Sequence, residues 1–263
     1  MTTSHPEPAA PPPPAAGEPV GLPILFISDL HLSTAAPHTT AAFTAFIHAP
    51  ARQAHSLYIL GDLFENWAGD DDLDEPFNQQ ITTLLFELAA SGTRIFFLAG
   101  NRDFLAGAGF ARAAKLTLLA DPTLITPAAH PILLSHGDAL CTDDHAYQHF
   151  RQQVRTPAFQ AQFLAQPLAA RKAIITQLRE QSESAKKDKE MALMDVAPAS
   201  VAALLREHNY PTLIHGHTHR PAQHTHQVDG HACTRHVLAD WHDHPTWLRF
   251  DGTGFMPCTL PRP

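Results

Sequence analysis

The chain has 263 residues, of which 44% are hydrophobic and 17% charged, so it is long enough and apolar enough to bury a substantial core. Its formal net charge of −8 argues against a protein that binds nucleic acid by neutralising phosphates. The 3 cysteines, with no C-x-x-C pair, argue against a disulfide scaffold and a zinc knuckle. The composition is unusual in its 19 histidines, whose positions decide whether they bind metal.

The first 21 residues differ in composition from the rest of the chain. They are rich in Pro and Ala and contain no Lys or Arg, so we predict a disordered extension over residues 1–21 and one domain over residues 22–263. The extension lacks the basic start and the apolar run of a secretory signal. No apolar run in the sequence is long enough to span a bilayer.

Five short apolar runs predict buried strands, and each is followed by a polar loop that carries Asp, Asn or His. The runs cover residues 24–27, 57–60, 95–98, 132–134 and 213–214. Helical patterns lie between several of them, and this alternation is typical of an α/β fold with a largely buried sheet. In such folds, ligands bind at the carboxyl ends of the strands. We therefore expect the five loops to converge on one edge.

The stretch from about residue 146 to residue 195 is different, because it has apolar residues at helical spacing and no strand pattern. Pro157 and Pro167 divide it into short helices, and we predict a helical insertion that packs over the α/β core. Its apolar positions include Phe150, Phe159 and Phe163. Periodicity does not tell whether this face packs within the insertion or lines a ligand groove.

The five loops supply seven candidate metal ligands: Asp29, His31, Asp62, Asn101, His136, His217 and His219. Imidazole and carboxylate ligands suit Mn, Fe, Zn or Co. Seven ligands are too many for one ion with an open position, and they suit two ions that share a bridging carboxylate and promote in-line displacement at phosphorus. One residue separates Asp29 from His31, and one separates His217 from His219. In both pairs we expect an extended backbone that points the two side chains to the same side.

These five blocks resemble the signature of the calcineurin-like metallophosphoesterases. The resemblance implies a four-layer α/β/β/α sandwich, here with a helical lid insertion, and a dinuclear metal centre. Most members of that family have a His after the Asn of the third block, where it is thought to protonate the leaving group, whereas this chain has Arg102. Arginine stays charged and grips phosphate oxygens, which suits a leaving group that needs no proton, such as a phosphate.

Longer blocks at residues 58–65, 136–144 and 215–221 are similar to the UDP-2,3-diacylglucosamine pyrophosphatases of lipid A biosynthesis, and the likeness runs from about Ile24 to Trp241. This resemblance implies that metal-activated water attacks the α-phosphorus of UDP-2,3-diacylglucosamine. The products would be UMP and 2,3-diacylglucosamine 1-phosphate. The helical insertion would then be a lid over the acyl chains.

The same resemblance implies a role for each site residue. Asp29, His31 and His219 would bind the first of two Mn²⁺ ions. Asn101, His136 and His217 would bind the second, and Asp62 would bridge them. The implied catalytic residues are Asp62, Asn101, Arg102 and His217. The implied substrate contacts are Asn101, Arg102, Asp144, Ser182, Lys189 and His217, together with Lys186, whose position is often an Asn in the family.

A glycolipid nucleotide substrate implies that the protein acts at a membrane surface. We expect peripheral attachment to the cytoplasmic face of the inner membrane, with no nucleic acid and no obligate protein partner. Basic residues of the insertion are candidates for membrane contact, or else are ordinary solvated positions: Arg151, Arg155, Arg171, Lys172 and Arg179. Two other functions stay open, a phosphodiesterase of the same superfamily with a soluble nucleotide substrate and a non-catalytic scaffold with this fold.

Overall fold

The strands of this protein form two sheets, which we describe from a computed structural model of residues 21–188, 195–242 and 244–260. The first sheet contains β1 (Ile24–Ile27), β2 (Ser56–Leu60), β3 (Arg94–Leu98), β4 (Thr117–Leu119), β10 (Thr246–Phe250) and β11 (Phe255–Thr259). The second contains β5 (Thr123–Ile125), β6 (Ile132–Leu134), β7 (Thr212–His215), β8 (Ala222–Val228) and β9 (His231–Val237). The predicted extension, apart from Gly21, lies outside the described residues.

Each sheet has parallel strands at its centre. In the first sheet, β1 to β4 run parallel in sequence order, and β10 and β11 add to the β1 edge in antiparallel orientation. In the second sheet, β7 lies between β6 and β9 and is parallel to both. All five strands predicted from the sequence are among these parallel strands, so their carboxyl ends meet along one edge of the two sheets.

Seven α-helices occur in the part of the chain that the structure describes. They are α1 (Pro37–His48), α2 (Pro76–Ala90), α3 (Ala108–Ala114), α4 (His145–Val154), α5 (Pro157–Leu164), α6 (Leu168–Asp188) and α7 (Pro198–Glu207). Proline occupies the first turn of α1, α2, α5 and α7, where its missing N–H would have no helical partner. The side chains of Glu75, Asp144 and Thr156 cap α2, α4 and α5 by accepting a backbone N–H.

The central strands are buried on both faces, and this explains their continuous apolar runs. Leu25 and Ile27 of β1 point towards α1 and α2, whereas Ile24 and Phe26 point into the core between the two sheets. Helix α7 covers the outer face of the second sheet, where Val201 packs in the same cluster as Leu133 and Leu213. The layers therefore lie in the order α/β/β/α, which confirms the α/β fold class expected from the sequence.

Helices α4 to α6 are attached to loops of the first sheet, and α4 is also attached to the loop after β6 of the second sheet. Arg155 donates to the carbonyl of Gly100 at 2.8 Å, and Arg179 forms an ion pair with Glu65. Arg171 is only 1% exposed and bonds to the Ala68 carbonyl and the Asp71 carboxylate. Two further pairs join the basic residues of this region to acidic ones, Arg151 with Asp138 and Lys172 with Asp72. All five basic residues considered for membrane contact thus bind groups of the protein itself.

Arg171 provides a test of this attachment. Replacing Arg171→Ala removes a buried guanidinium and its bonds to Ala68 and Asp71, so we expect the free energy of unfolding to fall by about 2–3 kcal/mol. Urea denaturation followed by circular dichroism measures the change. The matched control is Lys172→Ala, whose side chain is 45% exposed and whose loss should cost less than about 1 kcal/mol. Equal losses from the two variants would contradict the structural role of Arg171.

Candidate metal centre

Loops at the carboxyl ends of five strands bring the seven candidate ligands into one cluster. Asp29 and His31 follow β1, Asp62 follows β2, and Asn101 follows β3. From the second sheet, His136 follows β6, and the turn after β7 carries His217 and His219. The cluster has two halves, which Asp62 joins.

The first half contains Asp29, His31 and His219. The Nε2 atoms of His31 and His219 lie 3.3 Å apart, and His219 Nε2 is 3.4 Å from Asp29 Oδ1. One ligand atom from each of the three residues lies within 4.8 Å of the others. Asp62 adjoins this half through Oδ2, which is 3.8 Å from His31 Nε2.

The second half contains Asn101, His136 and His217. Asn101 Oδ1 lies 2.9 Å from His136 Nε2 and 3.0 Å from His217 Nδ1. The other carboxylate oxygen of Asp62, Oδ1, lies 3.7 Å from His136 Nε2. The two oxygens of one carboxylate therefore face the two halves, as a bridging ligand requires.

The outer nitrogens of three histidines face oxygen acceptors. His31 Nδ1 lies 2.8 Å from Glu65 Oε2, His219 Nδ1 lies 3.0 Å from Asp240 Oδ2, and His136 Nδ1 lies 2.9 Å from the Leu60 carbonyl. Such an acceptor favours the proton on Nδ1 and leaves a lone pair on Nε2, directed into the cluster. Sequence reasoning did not find Glu65 and Asp240, because neither belongs to a ligand pattern.

This donor set fits a divalent cation. With Nδ1 protonated on both rings, the Nε2 atoms of His31 and His219 have room for only one proton between them, and Asp29 Oδ1 is buried without a hydrogen-bond donor among the described residues. Acceptors that converge in a buried site need positive charge between them, which a proton or a metal cation supplies. Imidazole nitrogens with carboxylate and amide oxygens are suitable ligands for first-row transition metals.

The pKa values reflect the concentration of negative charge in the cluster. Burial lowers the pKa of His136, but the carboxylates of Asp62, Asp138 and Asp29 outweigh this effect and raise it to about 9. Burial also opposes protonation of His219, whose pKa the carboxylates of Asp240 and Asp29 nevertheless raise to about 9. A field that stabilises an imidazolium also stabilises a metal cation at the same place.

The backbone at five of the seven candidate ligands is left-handed. The φ angles are +56° at Asp29, +50° at His31, +51° at Asp62, +68° at His217 and +53° at His219. The extended backbone expected for the 29/31 and 217/219 pairs was therefore wrong, although the side chains of each pair do reach the cluster. Non-glycine residues rarely adopt this conformation, and here it turns the chain sharply at the ends of β1, β2 and β7.

Asp103 holds two of these loops together from beneath. Its buried carboxylate accepts N–H groups from Leu63 at 2.7 Å and from Gly100 at 2.8 Å, and also that of Asp62 at 3.3 Å. Gly100 itself lies so close to Asp62 that a Cβ atom would overlap the carboxylate. The position of the Asp62 carboxylate thus depends on Asp103, which sequence reasoning did not single out.

The remaining predicted residues lie around the cluster. Arg102 donates its backbone N–H to Asp62 Oδ1 at 2.8 Å, and its Nε is buried without a partner in the described part of the chain. Asp144 caps α4 through the N–H of Tyr147. Ser182 and Lys186 lie in α6, with side chains outside the described residues, and Lys189 lies entirely outside them. The ring of Tyr147, which the sequence analysis missed, stacks on His217 with centroids 6.0 Å apart.

No helix within the described ranges combines the length and the apolar character needed to cross a membrane.

Comparison with known proteins identifies relatives over most of the chain. A protein named UDP-2,3-diacylglucosamine hydrolase from Aromatoleum aromaticum is 59% identical over 230 residues, which cover 88% of this chain and 94% of that protein. Proteins with the same name from Stenotrophomonas maltophilia (strain K279a) and Chromohalobacter salexigens are each 48% identical, covering 90% and 85% of this chain and 98% and 90% of their own. The family model described as calcineurin-like phosphoesterase matches residues 22–221. This chain therefore belongs to the calcineurin-like phosphoesterase family.

Proposed function

We propose that this protein hydrolyses the diphosphate of UDP-2,3-diacylglucosamine to UMP and 2,3-diacylglucosamine 1-phosphate, a step of lipid A biosynthesis. The observation that carries the proposal is the two-part ligand cluster joined by Asp62, with Arg102 bound to the same carboxylate. The name that the relatives share, UDP-2,3-diacylglucosamine hydrolase, supports the substrate.

Membership of the family implies divalent metal ions, and for this chain we propose two Mn²⁺ ions. Asp29, His31 and His219 would hold one ion, Asn101, His136 and His217 would hold the other, and Asp62 would hold both. When bound, such ions neutralise phosphate charge and make water acidic enough to act as a nucleophile near neutral pH.

Arg102 would bind the phosphates of the substrate. Its backbone is anchored to Asp62, and its Nε–H is a buried donor that has no acceptor among the described residues. A buried donor without an acceptor destabilises the free protein, and a ligand that supplies the acceptor removes this cost. A phosphate oxygen suits a guanidinium in both charge and geometry. Attack at the α-phosphorus expels a sugar phosphate that is stable as an anion, so the reaction needs charge stabilisation and no proton donor.

Helices α4 to α6 would cover the lipid end of the substrate. Phe150, Leu164 and Leu178 expose 39%, 39% and 41% of their surface, although they belong to an element that is otherwise clamped to the core by ion pairs. We propose that acyl chains contact this apolar surface and that Asp144, Ser182, Lys186 and Lys189 contribute polar contacts. A substrate with two acyl chains implies peripheral association with the cytoplasmic face of the inner membrane.

The first test is hydrolysis itself. Purified protein with Mn²⁺ should release UMP from UDP-2,3-diacylglucosamine in detergent, and Asp62→Asn should lower kcat by about 100-fold or more because it weakens both halves of the metal centre. Chromatography of the released UMP measures the rate. Failure of the metal-loaded wild-type protein to release UMP would contradict the proposal. Full activity on a generic aryl phosphodiester would instead favour a soluble substrate, and less than one bound ion per chain would favour a scaffold.

Arg102 allows the phosphate contact to be tested separately from metal binding. Arg102→Ala should lower kcat/KM by about 100-fold, the loss typical of removing one charge-stabilising donor, while metal content stays the same. Steady-state kinetics with elemental analysis of the same samples provides both values. Arg112→Ala is the control, since Arg112 lies exposed on α3, and it should behave as wild type. Equal kinetics for the two variants would exclude Arg102 from the reaction.

Asp103 tests whether loop position controls metal affinity. In Asp103→Asn, an amide N–H₂ replaces one acceptor beside the N–H groups of Leu63 and Gly100, so we expect metal affinity to fall about 10-fold to 100-fold. Competition with a chelator measures the affinity. Asp251→Asn is the control, because Asp251 accepts the N–H groups of Thr253 and Gly254 in the turn between β10 and β11 and lies outside the ligand loops. An equal loss of affinity in both variants would mean that the effect is general destabilisation.

A further inference from the structure

A pocket of about 230 Å³ lies next to the metal centre, on the side of the second sheet. It is formed by the turn that carries His217 and His219, by β8 and β9, and by Asp195, three residues before α7. Its principal residues are Asp195, Thr218, Arg220, His224, Arg235 and Val237. Thr218 stands between two candidate metal ligands in the sequence, so a molecule in this pocket adjoins the reaction centre.

Arg235 is the central group of the pocket and is only 6% exposed. Two imidazoles position it: Nε donates to His226 Nε2 at 3.0 Å, and NH1 lies 3.0 Å from His215 Nε2. The Nδ1 atom of His215 lies 2.8 Å from the Gly216 carbonyl, so this nitrogen carries the proton and Nε2 accepts from Arg235. Both partners are therefore neutral acceptors that hold a guanidinium in place without neutralising it.

The second terminal nitrogen of Arg235, NH2, has no hydrogen-bond acceptor among the described residues. Among the described residues of the pocket, the one carboxylate is that of Asp195, which pairs with Arg220 at 2.9 Å. Thr218 Oγ1 is likewise buried without a hydrogen-bond partner in the described part of the chain. Arg235 thus keeps an N–H that no described residue accepts, on a side chain held in the wall of the pocket, and a ligand oxygen can accept it.

The position of the pocket indicates which part of the substrate it meets. Helix α6 is attached to the loop after β2 of the first sheet, through Arg171 at Ala68 and Arg179 at Glu65, whereas α4 also bonds to Asp138 after β6 of the second sheet. The pocket lies on the second sheet, beyond the turn at Thr218. A diphosphate diester that crosses the metal centre with its lipid end under α6 therefore directs its other end towards the pocket.

We propose that this pocket binds the uridine end of the substrate, an inference that rests on the proposed function. The carbonyl oxygens of a pyrimidine accept hydrogen bonds from a guanidinium, and its imide N–H or the ribose hydroxyls bond to Thr218. Val237 and Pro221 supply apolar surface for the flat ring. A free anion fits less well, because Asp195 places a carboxylate in the same pocket.

The experiment measures binding of UMP to the metal-loaded full chain by calorimetry. Arg235→Gln should weaken UMP binding about tenfold and raise KM for UDP-2,3-diacylglucosamine by a similar factor, with a smaller effect on kcat. The affinity for inorganic phosphate should change less than about twofold, because phosphate does not reach Arg235. The matched control is Gln223→Ala, which alters the opposite face of β8 and should bind UMP as the wild type does.

Because Arg235 is buried, a second variant guards against a folding defect. His224→Ala changes an exposed residue at the rim of the pocket and should weaken UMP binding about threefold. Unchanged UMP affinity in folded samples of both variants would overturn the inference, as would inorganic phosphate that binds the wild type as tightly as UMP does. UMP binding is measured without lipid, so absence of lipid hydrolysis would instead overturn the proposed function alone.

Discussion

The structure depends most on the carboxylate of Asp62, which is shared by two groups of acceptor atoms. Its two oxygens face His31 on one side and His136 on the other, and its position is set from below by Asp103. Around it, nitrogen and oxygen lone pairs converge in a region from which solvent is almost excluded, since Asp62 is 2% exposed. These buried acceptor atoms repel one another and destabilise the protein when no cation is bound. A cation between them attracts all of them and stabilises the arrangement.

Much of the fold and most of the cluster could be predicted from the sequence, because the relevant signals are local. A strand that is buried on both faces must be apolar throughout, so runs such as Ile24–Ile27 stand out, and the polar loop that follows each run is equally visible. The order of the loops then identifies Asp62, Asn101 and His136 as neighbours in space. The candidate ligands include four imidazoles and no thiolate, which limits the metal to Mn, Fe, Zn or Co without selecting one of them.

What could not be predicted depends on relations between distant segments. Glu65 and Asp240 acquire their role from the direction of an imidazole ring, which no spacing rule encodes. The left-handed backbone at Asp29 and His31 has no sequence signal, since neither is glycine. From periodicity alone, the basic residues of the insertion fit a membrane surface or solvent equally well. In the structure several of them bind acidic groups that are distant in sequence, such as Asp71 for Arg171.

At the candidate ligands, the left-handed backbone is unfavourable for folding, although the proposed chemistry needs side chains at these positions. Each such residue stores of the order of 1 kcal/mol that glycine would release. Changing the partly exposed His219 to glycine would therefore relieve the backbone while removing a candidate ligand, whereas changing Asp29 would also remove the acceptor of the His217 N–H. Folding alone thus gives no reason for a histidine at position 219, and a lineage that no longer needed the reaction could lose this side chain without loss of stability.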